Sequence, residues 1–256
     1  IRSVGPFTDG LASGVVTSGG ADIAVNVGMG TEGPDYRAVI DTYLNSANLA
    51  DPDRTLADQP DMVAKTYEEE LAVWLTARYG EGVLEGTDAL SYFQGLAPEQ
   101  QRIFLREVYY AELRAGGREY NDANGPRYGS YLRGRRMIET LLPKVDSEMG
   151  TSGYNGDVTM LTAMDGALGE KSGLIRTEGG GNIQMLVPGG DLIIGLEAVR
   201  PENGDNGILT QGSGDIQLFS QGDIALGLSR IMTTYGGDIF AWANAGDINA
   251  GRGAKT

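Results

Sequence analysis

The sequence predicts a mainly β fold: a right-handed parallel β-helix with an α-helical insertion inside one coil. Three observations carry that expectation. A short phrase recurs, reading IRTEGGGNI at 175–183, ILTQGSGDI at 208–216 and IMTTYGGDI at 231–239, with a fourth copy, VVTSGGADI, at 15–23. Aspartate or asparagine residues that precede an apolar residue fall into two columns at a steady offset. Residues 34–148 abandon the glycine pattern and carry helical stripes instead.

Residues 1–33 are expected to form the first coil. Val15, Thr17, Ile23, Val25 and Val27 alternate in the manner of strands. Residues 34–148 are expected to be the α-helical insertion. Tyr36, Val39, Ile40, Tyr43 and Leu44 form one stripe at i, i+3, i+4 spacing behind Pro34. Tyr67, Leu71, Trp74 and Leu75 form a second, and a shorter helix is expected at 89–93. Ile103, Phe104, Val108, Tyr109, Tyr110 and Leu113 form a third, opening at Pro98-Glu99 and stopping at Gly116-Gly117. Tyr128, Tyr131, Leu132, Met137, Ile138, Leu141 and Leu142 form a fourth, ended by Pro143. Such helices can bury a small core of their own.

Residues 149–256 return to strands and make the remaining coils. Column one is Asn182, Asp215 and Asp238; column two is Asp191, Asp223 and Asp247. The last two coils are 23 (238 − 215) and 24 (247 − 223) residues apart, which sets the length of one turn. The preceding step of 33 (215 − 182) is too long by about ten, and the polar stretch 200–206 is expected to loop out. Asp22 follows Thr17 by five residues and joins column one; Asp157 joins column two. The helical segment therefore interrupts a single coil. The strand near Ile23 should pair with the strand near Ile183, with Ile175, Ile208 and Ile231 stacked in one ladder and Ile183, Ile216 and Ile239 in another.

Composition narrows the chemistry. Glycine is 40 of 256 residues, which suits repeated tight turns. There is no cysteine and no histidine, so disulfides, thiolate nucleophiles, Cys/His zinc sites and histidine-based triads are excluded. The net charge of −15 argues against nucleic acid and anionic membrane surfaces as partners. No apolar run approaches the roughly 20 residues of a membrane helix. No signal peptide is visible, and the chain reads as an excised fragment of something longer.

The stretches GDIQLFSQGDIALG (214–227) and GGDIFAWANAGDINAGRGAKT (236–256) resemble filamentous-haemagglutinin-type large exoproteins. The helical part, with PEQQRIFLR (98–106) and GREYND (117–122), resembles an uncharacterised domain toward the C-terminal side of many such proteins. The resemblance covers nearly all of the chain. It implies a protein secreted by, or held on the outer surface of, a Gram-negative bacterium. It implies export, unfolded, through an outer-membrane two-partner-secretion transporter, and a role in adhesion to a host or bacterial surface glycan or protein. No toxin motif is present, and the resemblance supplies no catalytic residues.

The residues themselves offer few sites. Asp22, Asp157, Asn182, Asp191, Asp215, Asp223, Asp238 and Asp247 are expected to form a structural turn ladder, each satisfying amides at a corner. Ca²⁺ is the alternative that corner carboxylates leave open. It is the less favoured one, because the tight Gly-Gly-x-Gly-x-Asp period of calcium β-rolls is missing and Asn182 breaks column one. No cofactor is expected. Glu68, Glu69 and Glu70 suit a solvated helix start. Arg133, Arg135 and Arg136, with Tyr128 and Tyr131, could grip an anionic glycan or partner; ion pairing with nearby acids is the plainer reading. Glu119, Tyr120, Asn121 and Asp122 are expected in a polar loop, able to contact sugar or to supply a carboxylate pair for glycoside hydrolysis.

The function expected is a non-enzymatic segment of a surface adhesin, a β-helical stalk bearing a helical module for binding or anchoring. Two alternatives stand beside it. One is a carbohydrate-active β-helix enzyme; the other is a structural stop or cap during secretion.

Overall fold

A computed structural model describes residues 1–4, 20–30, 33–143, 153–164, 167–197 and 206–251. The chain divides into two compact units, Ile1–Thr31 with Val145–Thr256, and Glu32–Lys144. The first unit is therefore made of two stretches separated by the whole of the second.

The strands of the first unit are β1 (Arg2–Val4), β2 (Ile23–Asn26), β3 (Val158–Thr159), β4 (Leu161–Met164), β5 (Ala167–Ser172), β6 (Leu174–Glu178) and β7 (Ile183–Val187). They continue with β8 (Leu192–Ile193), β9 (Gly207–Gln211), β10 (Ile216–Ser220), β11 (Ile224–Ala225), β12 (Arg230–Thr234), β13 (Ile239–Ala243) and β14 (Ile248–Asn249). Three four-stranded sheets result, ordered β1-β6-β9-β12, β2-β7-β10-β13 and β3-β8-β11-β14. Every pairing in them is parallel. The strand at Ile23 does pair with the strand at Ile183, residue on residue, across the helical segment. Ile175, Ile208 and Ile231 are register partners, as are Ile183, Ile216 and Ile239. Thr17 of the fourth phrase and most of the 200–206 loop lie outside the described residues.

Like residues stack on like, and their apolar side chains make one core. Ile23, Ile175, Ile183, Met185, Leu192, Ile208, Ile216, Leu218 and Ile224 are all buried in it. Each fully buried aliphatic side chain stabilises the fold by about 1.5–3 kcal/mol. The last rung is less covered: Ile183 and Ile216 are 0% exposed, whereas their partner Ile239 is 49% exposed. An antiparallel pair, β4 with β5, precedes β6. The repeat pattern gives no notice of it.

The second unit is helical: α1 (Tyr36–Tyr43), α2 (Glu68–Tyr79), α3 (Ala89–Gln94), α4 (Pro98–Asn121) and α5 (Leu132–Leu141). Asp35 caps α1 by accepting from the Ala38 N–H, and Asp88 caps α3 by accepting from the Ser91 N–H. Val39, Tyr43, Leu71, Leu75, Phe93, Leu105, Tyr109, Leu113, Met137 and Leu141 form the buried core. Trp74, Phe93 and Phe104 pack edge-on or tilted at centroid separations of 5.5–6.2 Å. The ends of the unit meet, the Asp35 N–H donating to the Leu141 carbonyl at 2.7 Å. Among the described residues no helix is long and apolar enough to cross a membrane.

Two helix boundaries differ from the expectation. α4 does not stop at Gly116-Gly117 but runs to Asn121. Gly116 is buried where α5 crosses; a Cβ there would lie 2.9 Å from the Gly134 amide nitrogen. The glycine serves close helix approach rather than termination. α5 starts at Leu132, and residues 123–129 before it are turns and a bend.

Candidate functional site

The close approach of α4 and α5 fixes the most organised polar cluster of the helical unit. Glu112 lies on α4, two turns before Glu119, and is 0% exposed. A buried carboxylate needs donors and a counter-charge. Arg133 supplies both, its Nε and Nη2 donating to the two oxygens of Glu112 at 2.9 and 2.5 Å. Its Nη1 donates to Glu119 at 2.7 Å. Arg127 forks onto the same Glu119 at 2.6 and 2.8 Å. The Tyr67 hydroxyl donates to Glu112 at 2.6 Å. The result is a chain of alternating charges, Glu112, Arg133, Glu119, Arg127, closed at one end by a phenol.

The electrostatics follow from that order. Burial pushes the Glu119 carboxyl up, but hydrogen bonds and charge from Arg127 and Arg133 outweigh it and hold the carboxyl below its ordinary value. Burial pulls the Arg133 guanidinium down, and Glu112 and Glu119 more than reverse this. The Tyr67 phenol is raised, first by burial and then by Glu112. A general acid in glycoside hydrolysis needs a raised carboxyl. Glu119 is shifted the other way and both its oxygens are already engaged.

The residues singled out from sequence therefore do not gather on one surface. Glu119 and Arg133 point into the polar cluster. Arg136 donates to the carbonyls of Met62 and Leu56 at 2.5 and 2.6 Å, tying α5 to the segment before α2. Arg135 is exposed. Tyr120 stacks flat on Tyr131 at 4.1 Å, and Tyr128 is 63% exposed beside them in sequence. Asn121 donates from Nδ2 back to the Gly117 carbonyl at the end of α4. Asp122 accepts from the Asn124 N–H in the turn that follows. Glu119–Asn121 is thus the last turn of a helix, not a loop. The reason is the buried Glu112: it draws Arg133 inward, and Arg133 orders Glu119. Glu112 and Arg127 are not singled out by the sequence, and Tyr67 reads there only as part of an apolar stripe; the available sign was a glutamate set among the tyrosines of the α4 stripe.

The two polar columns of the first unit are ordered by one rule. The side-chain Oδ1 of each member but the last accepts the backbone N–H of its partner in the next rung. Asp22 accepts from Asn182, Asn182 from Asp215 and Asp215 from Asp238, at 2.7–2.8 Å. Asp157 accepts from Asp191, Asp191 from Asp223 and Asp223 from Asp247, each at 2.8 Å. The threonine of the phrase has its own part: Thr177, Thr210 and Thr233 donate to the carbonyls of Gly181, Gly214 and Gly237 across the turn, at 2.9–3.1 Å. Among the described residues no group of three or more acidic side chains is gathered to hold a metal ion.

The chain matches no family model, no curated protein and no solved structure.

Proposed function

We propose that this chain is a non-enzymatic segment of a secreted bacterial surface adhesin of the filamentous-haemagglutinin kind. In this reading the three parallel sheets are the faces of a right-handed parallel β-helix that serves as a stalk. The helical unit, spliced into one coil, is the module for binding or anchoring. The protein is exported unfolded through an outer-membrane two-partner-secretion transporter and is held at the outer surface of a Gram-negative cell.

The observation that carries the reading is the ladder of side-chain oxygens running unbroken from Asp22 to Asn182 past the whole helical unit. A stacked fold of this kind tolerates a large insertion at a corner because each rung is held by its neighbours. The absence of cysteine suits a chain that crosses an oxidising space unfolded. The internal use of Glu119 and Arg133 supports a scaffold role for them over catalysis.

The test is surface display in a bacterium that carries the cognate transporter, with and without residues 33–143. Retained display with lost adherence to host or bacterial cells is the expected result. Lost display would favour a role in passage through the transporter. Adherence unchanged by the deletion would contradict the reading.

A further inference from the structure

We infer that Asn155 is a site of spontaneous covalent modification, at which the side-chain amide closes onto the Gly156 nitrogen, loses ammonia and leaves an aspartyl or isoaspartyl residue. The inference is independent of the adhesin reading. The reaction needs only hydroxide and water. Hydroxide takes the proton of the Gly156 N–H, and the nitrogen attacks Cγ of Asn155. The N–Cγ bond forms, the Cγ–Nδ2 bond breaks, and Nδ2 takes a proton from water and departs as ammonia. Water then opens the cyclic imide at either carbonyl. One opening leaves an ordinary aspartyl residue. The other leaves an isoaspartyl link, in which the main chain runs through the side-chain carbon and is longer by a methylene.

Asparagine followed by glycine is the pair in which no Cβ hinders the attack. The chain has it at Asn124, Asn155, Asn203 and Asn206, of which Asn203 lies outside the described residues. The fold separates the other three by what holds the attacking nitrogen. The Gly125 N–H donates to the Asp122 carbonyl at 2.9 Å. The Gly207 N–H is buried at the start of β9 and donates to the Gly173 carbonyl at 3.0 Å. An engaged N–H must be released before it can react, and one ordinary hydrogen bond slows the step by about tenfold. Gly156 carries no such bond. Further along the same corner, the Gly222 N–H donates to the Gly190 carbonyl at 2.9 Å. β3 is the edge strand of its sheet, and among the described residues no carbonyl stands in that place for Gly156. Asn155 and Gly156 are both exposed, and the space beside the Gly156 Cα is open. The corner has no room for a longer main chain on its other side. A Cβ on Gly189 would overlap the Asn155 nitrogen, so the two backbones already touch. An isoaspartyl link therefore displaces the Asn155 N–H from the Gly28 carbonyl, and Asp157 Oδ1 from the Asp191 N–H. The first rung loosens where its two ends meet.

The full chain is to be aged in mildly alkaline buffer, folded in one series and unfolded in denaturant in another. Peptide mass spectrometry follows the deamidation of each asparagine, and an isoaspartyl methyltransferase with its methyl donor labels the isoaspartyl product. In the folded series Asn155 is expected to react about tenfold faster than Asn124 and Asn206. In denaturant the three rates should converge, since the bonds to Gly125 and Gly207 are gone. Asn155→Gln should abolish reaction and label at this position. Hydrogen exchange supplies the structural readout: the Asp191 N–H should lose protection in the aged protein and keep it in aged Asn155→Gln. Three results overturn the inference. One is an Asn155 that reacts no faster than Asn124 or Asn206 in the folded chain. Another is an Asn155 that leads by the same factor in denaturant, which would make local sequence the cause and not the fold. The third is an isoaspartyl product that leaves the Asp191 N–H protected.

Discussion

In each polar column one side-chain oxygen links a rung to the next, beside the backbone bonds, and the chemistry of that oxygen sets what each position tolerates. Asn182 does with an amide oxygen what Asp215 does with a carboxylate, at the same 2.8 Å. The interaction therefore needs an acceptor and not a charge. Asp223→Ala should cost about 1 kcal/mol of stability by removing the acceptor for the Asp247 N–H, whereas Asp223→Asn should be close to neutral; denaturant unfolding of the two variants separates them. The polar cluster of the helical unit behaves differently because it is buried and charged. Arg133→Ala leaves Glu112 without its counter-charge and should destabilise by about 3–5 kcal/mol, again read from denaturant midpoints. Glu119 adds a pH dependence. Its folded pKa lies below the unfolded one, so its contribution is fully present above roughly pH 4.3 and is lost as pH falls from there through the folded value. Glu119→Gln should flatten that acid limb of the stability profile, as followed by helical ellipticity.

Elements are shaped here by where backbones touch. Gly214 stands directly over Gly181, and a Cβ on it would overlap the Gly181 carbonyl oxygen. Gly214→Ala should push two rungs apart and destabilise by about 1–3 kcal/mol, with the loss read in thermal unfolding. In the helical unit Gly116 has the same meaning, and Gly116→Leu should separate α4 from α5 and abolish the Arg133 to Glu112 pairing. These glycines were visible in the sequence, but their roles were not equally legible. Gly214 sits in a repeat, so its partner could be named from spacing. Gly116-Gly117 sits in a helix without a repeat, and local chemistry reads a glycine pair as a stop; only the crossing helix reveals it as a contact. The hairpin of β4 and β5 was missed for a related reason. The step from Asp157 to Asn182 is 25 residues (182 − 157), against 15 (238 − 223) in the last rung, so the excess was present in the spacing but had no repeat of its own to mark it.

At the scale of the molecule, the sequence-distant pairing of β2 with β7 is the feature on which the proposed stalk and module depend. It was legible because the repeated phrase keeps a fixed step of five residues from Thr to Asp or Asn, 17 to 22 and 177 to 182 alike, and such a mark identifies register on either side of an insertion. The polar cluster of the helical unit was not, since no period places Arg133 opposite Glu112. The Gly28 carbonyl accepts from the Asn155 N–H at 3.2 Å, so the two ends of the interrupted rung are adjacent. Excising Glu32–Lys144 and joining the ends with a short Gly/Ser linker should leave a chain with strand circular dichroism that unfolds in one cooperative step, with its m-value reduced as the exposed surface falls. The protein has no cysteine, which makes register directly measurable. Ala24 and Gln184 are register partners 160 residues apart, and Gln217 is one rung further on. Oxidation of the Ala24→Cys/Gln184→Cys variant should give a monomeric disulfide in high yield, while Ala24→Cys/Gln217→Cys should give none. A free thiol pair in the first variant, under conditions where Gln184→Cys/Gln217→Cys closes readily, would show that the N-terminal strand does not join the later ones and would contradict the account.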